Sequence, residues 1–228
     1  MSLIGSLADV LMPRYCKVCG RRLSVCEEHL CAACTLKMPL LPYSRDTLSQ
    51  TETLLLGETS LVRAASYFRY DKESEYRKIL YHLKYYAHPD VGRCLARRAA
   101  TLFDGEGFFE GIDYIVPVPL SRGKRRKRGY NQCDYIARGI QSVTGLTVRT
   151  DVVVRSVSNQ VQAKKGRMQR WLNAEGIFAV TDAGALANRH VLVVDDVVTT
   201  GATIMSLMDV MSASADVRIS VFTLALAE

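Results

Sequence analysis

Beyond about Leu61 the apolar positions of this chain follow two alternating periods. Spacings of three and four residues predict helices over 73–86, 91–103, 131–142 and 202–214, because a 3.6-residue turn gathers such positions on one face. Alternating or continuous apolar runs predict strands over 62–70, 112–118, 147–155, 176–180, 190–194 and 217–225. The unbroken runs Val152-Val153-Val154 and Val191-Leu192-Val193-Val194 suit strands covered on both faces. Such strands alternating with helices predict an α/β domain with a mostly parallel sheet flanked by helices.

Upstream the pattern changes. Residues 1–36 hold a short apolar stretch and a cysteine cluster. Residues 37–60 carry Pro39, Pro42, Gly57 and many Ser and Thr without clear periodicity, as a connector would. The expected organisation is therefore 1–36, an N-terminal helix with a metal-binding ribbon, then 37–60, a connector, and 61–228, the α/β domain. Leu3, Leu7, Val10 and Leu11 share one side of a short helix, with no basic residues before them and no small-residue cleavage site. That argues against a signal peptide and for packing on the protein's own body. No apolar run approaches the roughly 18 residues that span a bilayer, so no membrane insertion is expected.

Charge sharpens the picture by its location. The formal charge is +7, yet six of the seven residues from Arg122 to Arg128 are basic, and Lys164, Lys165, Arg167 and Arg170 add four more. Without those ten the remainder stands at −3. Cations confined to two segments fit phosphates, carried by a polyphosphate ligand or a nucleic acid, although a solvated loop explains either segment taken alone.

Cys16-Lys-Val-Cys19 and Cys31-Ala-Ala-Cys34 are two CxxC pairs with eleven residues between them. Each pair offers two thiolates to one tetrahedral zinc, and four thiolates close the site, which makes it structural rather than catalytic. Two disulfides are the competing arrangement, but nothing in the chain marks an oxidising compartment, and a cytoplasmic location is expected. Cys26 and His29 lie between the pairs as substitute ligands. Cys94 and Cys133, on expected helices, suit small buried positions.

The most informative segment is Val191-Leu-Val-Val-Asp195-Asp196-Val-Val-Thr199-Thr200-Gly201-Ala202-Thr203. A buried strand ends in two acids, and a glycine-bearing threonine cluster then opens a helix. Gly201 permits a tight turn, and the N–H groups of the helix start make a phosphate cradle with the Thr199, Thr200 and Thr203 hydroxyls. Asp195 and Asp196 repel phosphate and so serve another part of the ligand; ribose hydroxyls, which donate, fit them, with magnesium nearby. Receiver domains also end a strand in paired acids, but most of their fold lies downstream, and only 33 residues follow Asp195. The chain contains no GxGxxG to support dinucleotide binding.

The segment resembles the phosphoribosyl pyrophosphate (PRPP) signature of type I phosphoribosyltransferases. With it, Cys16–Gly20, Cys31–Cys34, Leu83-Lys84-Tyr85, Val116–Ser121, Arg128-Gly129-Tyr130-Asn131-Gln132 and the spaced Gln162, Arg170, Asn173 and Phe178 resemble the ComF/GntX family. The likeness spans nearly the whole chain and departs at Lys165 and Gln169. It implies a type I phosphoribosyltransferase-like domain behind a small N-terminal zinc ribbon. It implies PRPP, with magnesium, on Asp195, Asp196, Thr199, Thr200, Gly201, Ala202 and Thr203. Pyrophosphate would meet Pro119, Leu120, Ser121 and Arg128, under a flap carrying Gln162, Arg170 and Asn173. A link to competence adds single-stranded DNA on Lys124, Arg125, Arg126, Lys127 and Tyr130, and a DNA-uptake helicase or other protein as partner.

Three functions stand at this point. The chain transfers a phosphoribosyl group from PRPP to an acceptor, although no base is evident and Thr199 stands where some superfamily members carry an acid. Alternatively it is a non-catalytic PRPP- or nucleotide-binding and DNA-binding component of DNA uptake. In the third it is a zinc-ribbon adaptor with a vestigial pocket, which the retained acids and Thr-Thr-Gly oppose.

Overall fold

The computed structural model describes residues 13–86, 88–155 and 177–228. Among them are strands β1 (Leu61–Tyr70), β2 (Tyr114–Pro117), β3 (Thr147–Val148), β4 (Val153–Arg155), β5 (Phe178–Val180), β6 (Arg189–Val198) and β7 (Val217–Ala227). The helices are α1 (Ala32–Leu36), α2 (Gln50–Leu54), α3 (Arg77–Tyr85), α4 (Asp90–Asp104), α5 (Arg122–Arg128), α6 (Gln132–Thr144), α7 (Ala183–Leu186) and α8 (Ala202–Ser214). Five strands form one sheet in the order β1-β7-β6-β2-β3, every pair parallel. β4 and β5 make a separate antiparallel ribbon.

Val191 to Val194 are fully buried, and alternate residues go to opposite faces, as strand pleating requires. Leu192 and Val194 join Phe222, Leu224, Leu95, Ala99 and Ile136 in one core; Val191 and Val193 join Ile219, Val221, Leu207 and Met208 in the other. Helices α4 and α6 thus cover one face and α8 the other, the layering expected of the fold class. α4 and α6 pack so closely that a Cβ on Gly139 would stand 2.4 Å from the Arg93 carbonyl oxygen.

Three expectations shift, each for a local reason. The strand expected over 147–155 is split: β3 pairs with β2 and β4 with β5, and between them Arg149 grips Asp151 through Nε–Oδ1 and Nη2–Oδ2 contacts of 2.8 Å each. The strand expected over 190–194 runs on to Val198, because β7 continues beside it as far as Val198↔Leu226. The basic run is a helix, α5, with Ser121 capping its start and Gly129 ending it at φ +84°.

The connector is also more ordered than its composition suggests. Arg69 N donates to the Pro39 carbonyl and Leu41 N to that of Tyr67, so residues 39–41 cover the outer edge of β1. Ser49 and Glu52 form a reciprocal capping box on α2, and Glu52 Oε1 also accepts from Ala64 N in β1. Among the described residues no helix is long and apolar enough to cross a membrane.

Candidate functional site

Asp195 and Asp196 lie inside β6 rather than past its end, and both are buried. They border a cleft of about 710 Å³ at the carboxyl side of the central strands, whose lining includes Lys84, Tyr85, Val118, Pro119, Leu120 and Thr199. Asp195 Oδ1 accepts from its neighbour's amide, Asp196 N, at 2.8 Å and from the Cys133 thiol at 3.3 Å. Burial, and then the charge of Asp196, push the Asp195 carboxyl up to about 7. Cys133 is itself buried against these carboxylates, which drives its thiol well above the usual range and makes it a hydrogen-bond donor rather than a nucleophile.

Asp196 Oδ1 meets Lys84 Nζ at 3.1 Å, whereas its Oδ2 is buried without a hydrogen-bond partner among the described residues. Burial opposes the charge on Lys84, but the Asp196 carboxylate outweighs it and holds the ammonium pKa above its ordinary value. An unsatisfied buried carboxylate oxygen costs stability, on the order of 1–3 kcal/mol, unless a donor is supplied to it. Hydroxyl donors of a ligand are one such supply.

The loop after β6 takes the form its residues require. Gly201 has φ +78°, a left-handed conformation natural to glycine, and a Cβ there would also meet Leu55 Cδ2 at 3.0 Å. The amides of the first turn of α8 have no carbonyl four residues behind them. Thr199 and Thr203 line the cleft, Thr200 and Ala202 are exposed beside it, and Gly201 is buried.

On the facing wall, α5 carries its cations on two sides. Lys124, Lys127 and Arg128, spaced three and four apart, line the cleft, whereas Arg122, Arg125 and Arg126 do not. Pro119 and Leu120 line the cleft floor, and Ser121 is spent on the helix cap, accepting from Lys124 N. Arg128 also bonds Gln132 Oε1, and its guanidinium lies 5.7 Å from the Tyr85 ring centroid. Tyr130 packs edge-on against Tyr135 and donates its hydroxyl to the Leu83 carbonyl at 2.6 Å. Asn131 Nδ2 donates to the Val118 carbonyl, tying the start of α6 to the end of β2.

Away from the cleft, Cys16, Cys19, Cys31 and Cys34 bring their sulfurs within 4.8 Å of one another. Cys19 Sγ and Cys31 Sγ are 3.8 Å apart, close to the ~3.8 Å edge of a tetrahedron with Zn–S bonds of ~2.3 Å and far from the ~2.05 Å of a disulfide. Burial raises the Cys16 pKa, but backbone hydrogen bonds from Cys19, Cys31 and Val18 prevail and bring it to about 7. Burial and the neighbouring thiols push Cys34 far up. Thiols this tightly grouped compete for protons, and a cation such as zinc relieves that competition. Cys26 is exposed, and neither it nor His29 belongs to the cluster.

No family model matches the chain. Competence protein F of Haemophilus influenzae is 25% identical over 193 residues, covering 83% of this chain and 75% of its own. The DNA utilization protein YhgH of Escherichia coli is 27% identical over 112 residues, 49% of this chain and 48% of its own. Competence protein ComFC of Bacillus subtilis is 31% identical over 90 residues, 40% of this chain and 34% of its own. The chain is thus similar to proteins named for competence and for DNA utilization. It spans about half the length of YhgH and a third of that of ComFC. Among solved structures, glutamine PRPP amidotransferase from B. subtilis aligns with TM-score 0.40 at 15% identity, over 60% of this chain and 26% of that one.

The structure brings Asp195, Asp196, Thr199, Thr203, Pro119, Leu120, Lys124, Lys127, Arg128 and Tyr130 to one cleft. Gln162, Arg170 and Asn173 lie outside the described residues, as do the apolar positions of 1–12. Two cleft groups escaped assignment from sequence: Cys133, read only as a small buried residue, and Lys84, noted within a motif but given no role. Each is remote from Asp195 and Asp196 in the chain, and only the parallel sheet brings them together.

Proposed function

We propose that the cleft binds PRPP with magnesium, and that the chain is a phosphoribosyltransferase-like protein of the ComF type that transfers the phosphoribosyl group to an acceptor. The buried Asp196 carboxylate with one oxygen unpartnered, in the same cleft as the helix start that follows it, is the observation that carries this reading. The ribose hydroxyls donate to Asp195 and Asp196, and the 5-phosphate accepts from the amides and hydroxyls between Thr199 and Thr203. Pyrophosphate then points at Lys124, Lys127 and Arg128, whose charges stabilise it as the bond to the ribose C1 breaks. A magnesium ion bound with the ligand spreads the pyrophosphate charge further. Holding acceptor and C1 in line supplies the remainder of the rate.

The four-thiol cluster is proposed to hold one structural zinc, and thiols of this kind suit the reducing cytoplasm. A second reading, a DNA-binding component of DNA uptake that works with a helicase or other protein, is favoured by one observation. Arg122, Arg125 and Arg126 form an exposed basic face that the cleft does not use.

Calorimetry with PRPP and magnesium tests the first reading. Asp196→Asn loses a charge-assisted acceptor, roughly 1.5–3 kcal/mol or one to two decades of affinity. It is expected to bind at least tenfold more weakly than the wild type. Equal affinities, or no binding by the wild type at any magnesium concentration, would sink the assignment. Gly201 is a poorer probe, since any side chain there strains the backbone and crowds Leu55 whether or not a ligand is present.

A further inference from the structure

Lys84 lies in the last turn of α3, a helix that precedes the whole sheet apart from β1, yet its ammonium reaches Asp196 in β6. Its side chain is 23% exposed and that of Asp196 only 5%. The last turn of α3 is fixed residue by residue. Leu83 is held through its carbonyl by Tyr130, Lys84 by Asp196, and Tyr85 by the guanidinium of Arg128 above its ring. The Leu83-Lys84-Tyr85 and Arg128-Gly129-Tyr130 blocks therefore meet at this one point, and both border the cleft.

Stability alone is a poor reason for such a pair, because a buried ion pair rarely outperforms an apolar pair of the same volume. Its geometry points elsewhere. Among the described residues Nζ occupies Oδ1 and leaves Oδ2 unpartnered, so the ammonium orients the carboxylate and leaves one oxygen open to a donor. Pyrophosphate has other cations available in Lys124, Lys127 and Arg128 on the α5 wall.

We propose that Lys84 is a positioning residue for sugar recognition, holding the Asp196 side chain oriented so that its free oxygen accepts a ribose hydroxyl. The inference rests on the phosphoribosyl reading of the cleft and adds a residue and a division of labour to it. Lys84 serves the sugar through Asp196, and α5 serves the pyrophosphate.

Three probes separate these roles by calorimetry at fixed magnesium: ribose 5-phosphate, PRPP and inorganic pyrophosphate. Lys84→Met is expected to weaken ribose 5-phosphate and PRPP by similar factors of about ten, and to leave pyrophosphate binding within twofold. Lys84→Arg, which keeps the charge, should restore both sugars to within about threefold of wild type. In an Asp196→Asn background, Lys84→Met should add less than twofold, because its route of action is gone. Thermal unfolding checks that each variant folds, and Lys84→Gln replaces a Met variant that does not.

A loss confined to PRPP and pyrophosphate overturns the proposal and makes Lys84 a pyrophosphate ligand. Unchanged sugar binding overturns it and leaves a buried counterion. A wild type that binds neither sugar phosphate overturns the phosphoribosyl reading itself, and this one with it.

Discussion

Asp195 sets a pH signature that belongs to a single side chain. Its folded-state pKa of about 7 stands above the ordinary 3.8, so the folded protein holds this proton more tightly than the unfolded chain does. Its contribution to stability is therefore complete below about pH 4 and is lost as pH rises through about 7. Asn keeps the shape and the acceptor for the Cys133 thiol but never ionises. Asp195→Asn is expected to leave stability at pH 4 nearly unchanged and to raise it at pH 8 by about 1–3 kcal/mol, below the ~4 kcal/mol ceiling that a three-unit shift sets. Urea unfolding at pH 4, 6 and 8 checks it, and parallel profiles for the two proteins would remove Asp195 from the account. Sites that carry such a cost without ligand are sites where binding repays it. The acids themselves were legible in the sequence, since two carboxylates after a buried run have few other uses. Their burial, the Cys133 thiol and the Lys84 ammonium were not, because those follow from which strands become neighbours.

At the scale of elements, α5 shows where periodicity fails as a guide. A helix announces itself by an apolar stripe, and Arg122–Arg128 contains no apolar residue to draw one. The cap signals were nevertheless present: Ser121 before the run and Gly129 after it. The capping box Ser49–Glu52 likewise marked α2 within a stretch that lacked periodicity. Helical geometry turns the basic run from one patch into two faces, and the faces can be tested apart. Arg122→Ala, Arg125→Ala and Arg126→Ala together preserve helix propensity and remove three exposed charges away from the cleft. The triple variant is expected to bind single-stranded DNA more weakly, with the slope of log affinity against log salt reduced by about 2. Its PRPP affinity should stay within about threefold of wild type. Fluorescence anisotropy across a salt series measures the first and calorimetry the second. A wild type without salt-sensitive DNA binding would remove the nucleic-acid reading, and a triple variant that lost PRPP would merge the two faces into one site.

The whole molecule joins two parts that the sequence presents as separate. Cys16, Val18, Leu23, Leu30 and Cys31 belong to the same buried cluster as Phe68, Ile79, Leu83 and Leu95. α3 is the element that spans the join. Near its start the Tyr76 hydroxyl donates to the Cys34 carbonyl at 2.8 Å, and Lys78 Nζ approaches the Val18 carbonyl at 3.3 Å. At its other end Lys84 holds Asp196. From Tyr76 to Lys84 a helix rises about 12 Å, short enough for one rigid piece to carry both contacts. α4 adds Cys94 and Arg97 to Glu28, and Arg98 to Thr35. Metal binding in a small thiolate module is largely folding free energy, so removing the proposed zinc should unravel the ribbon and free the start of α3. Cys31→Ser, or chelation of the wild type, is therefore expected to abolish bound zinc, lower the thermal midpoint and weaken PRPP binding, although no cysteine ligand borders the cleft. Insofar as α3 acts on the sugar through Lys84, the loss of affinity should fall between about twofold and tenfold, the larger figure being that expected of Lys84→Met. The sugar should register it and pyrophosphate should not, the same division expected of Lys84→Met. Elemental analysis, calorimetry with ribose 5-phosphate and calorimetry with pyrophosphate on one zinc-depleted preparation decide the matter. Zinc lost with sugar affinity intact would make the ribbon and the cleft independent neighbours.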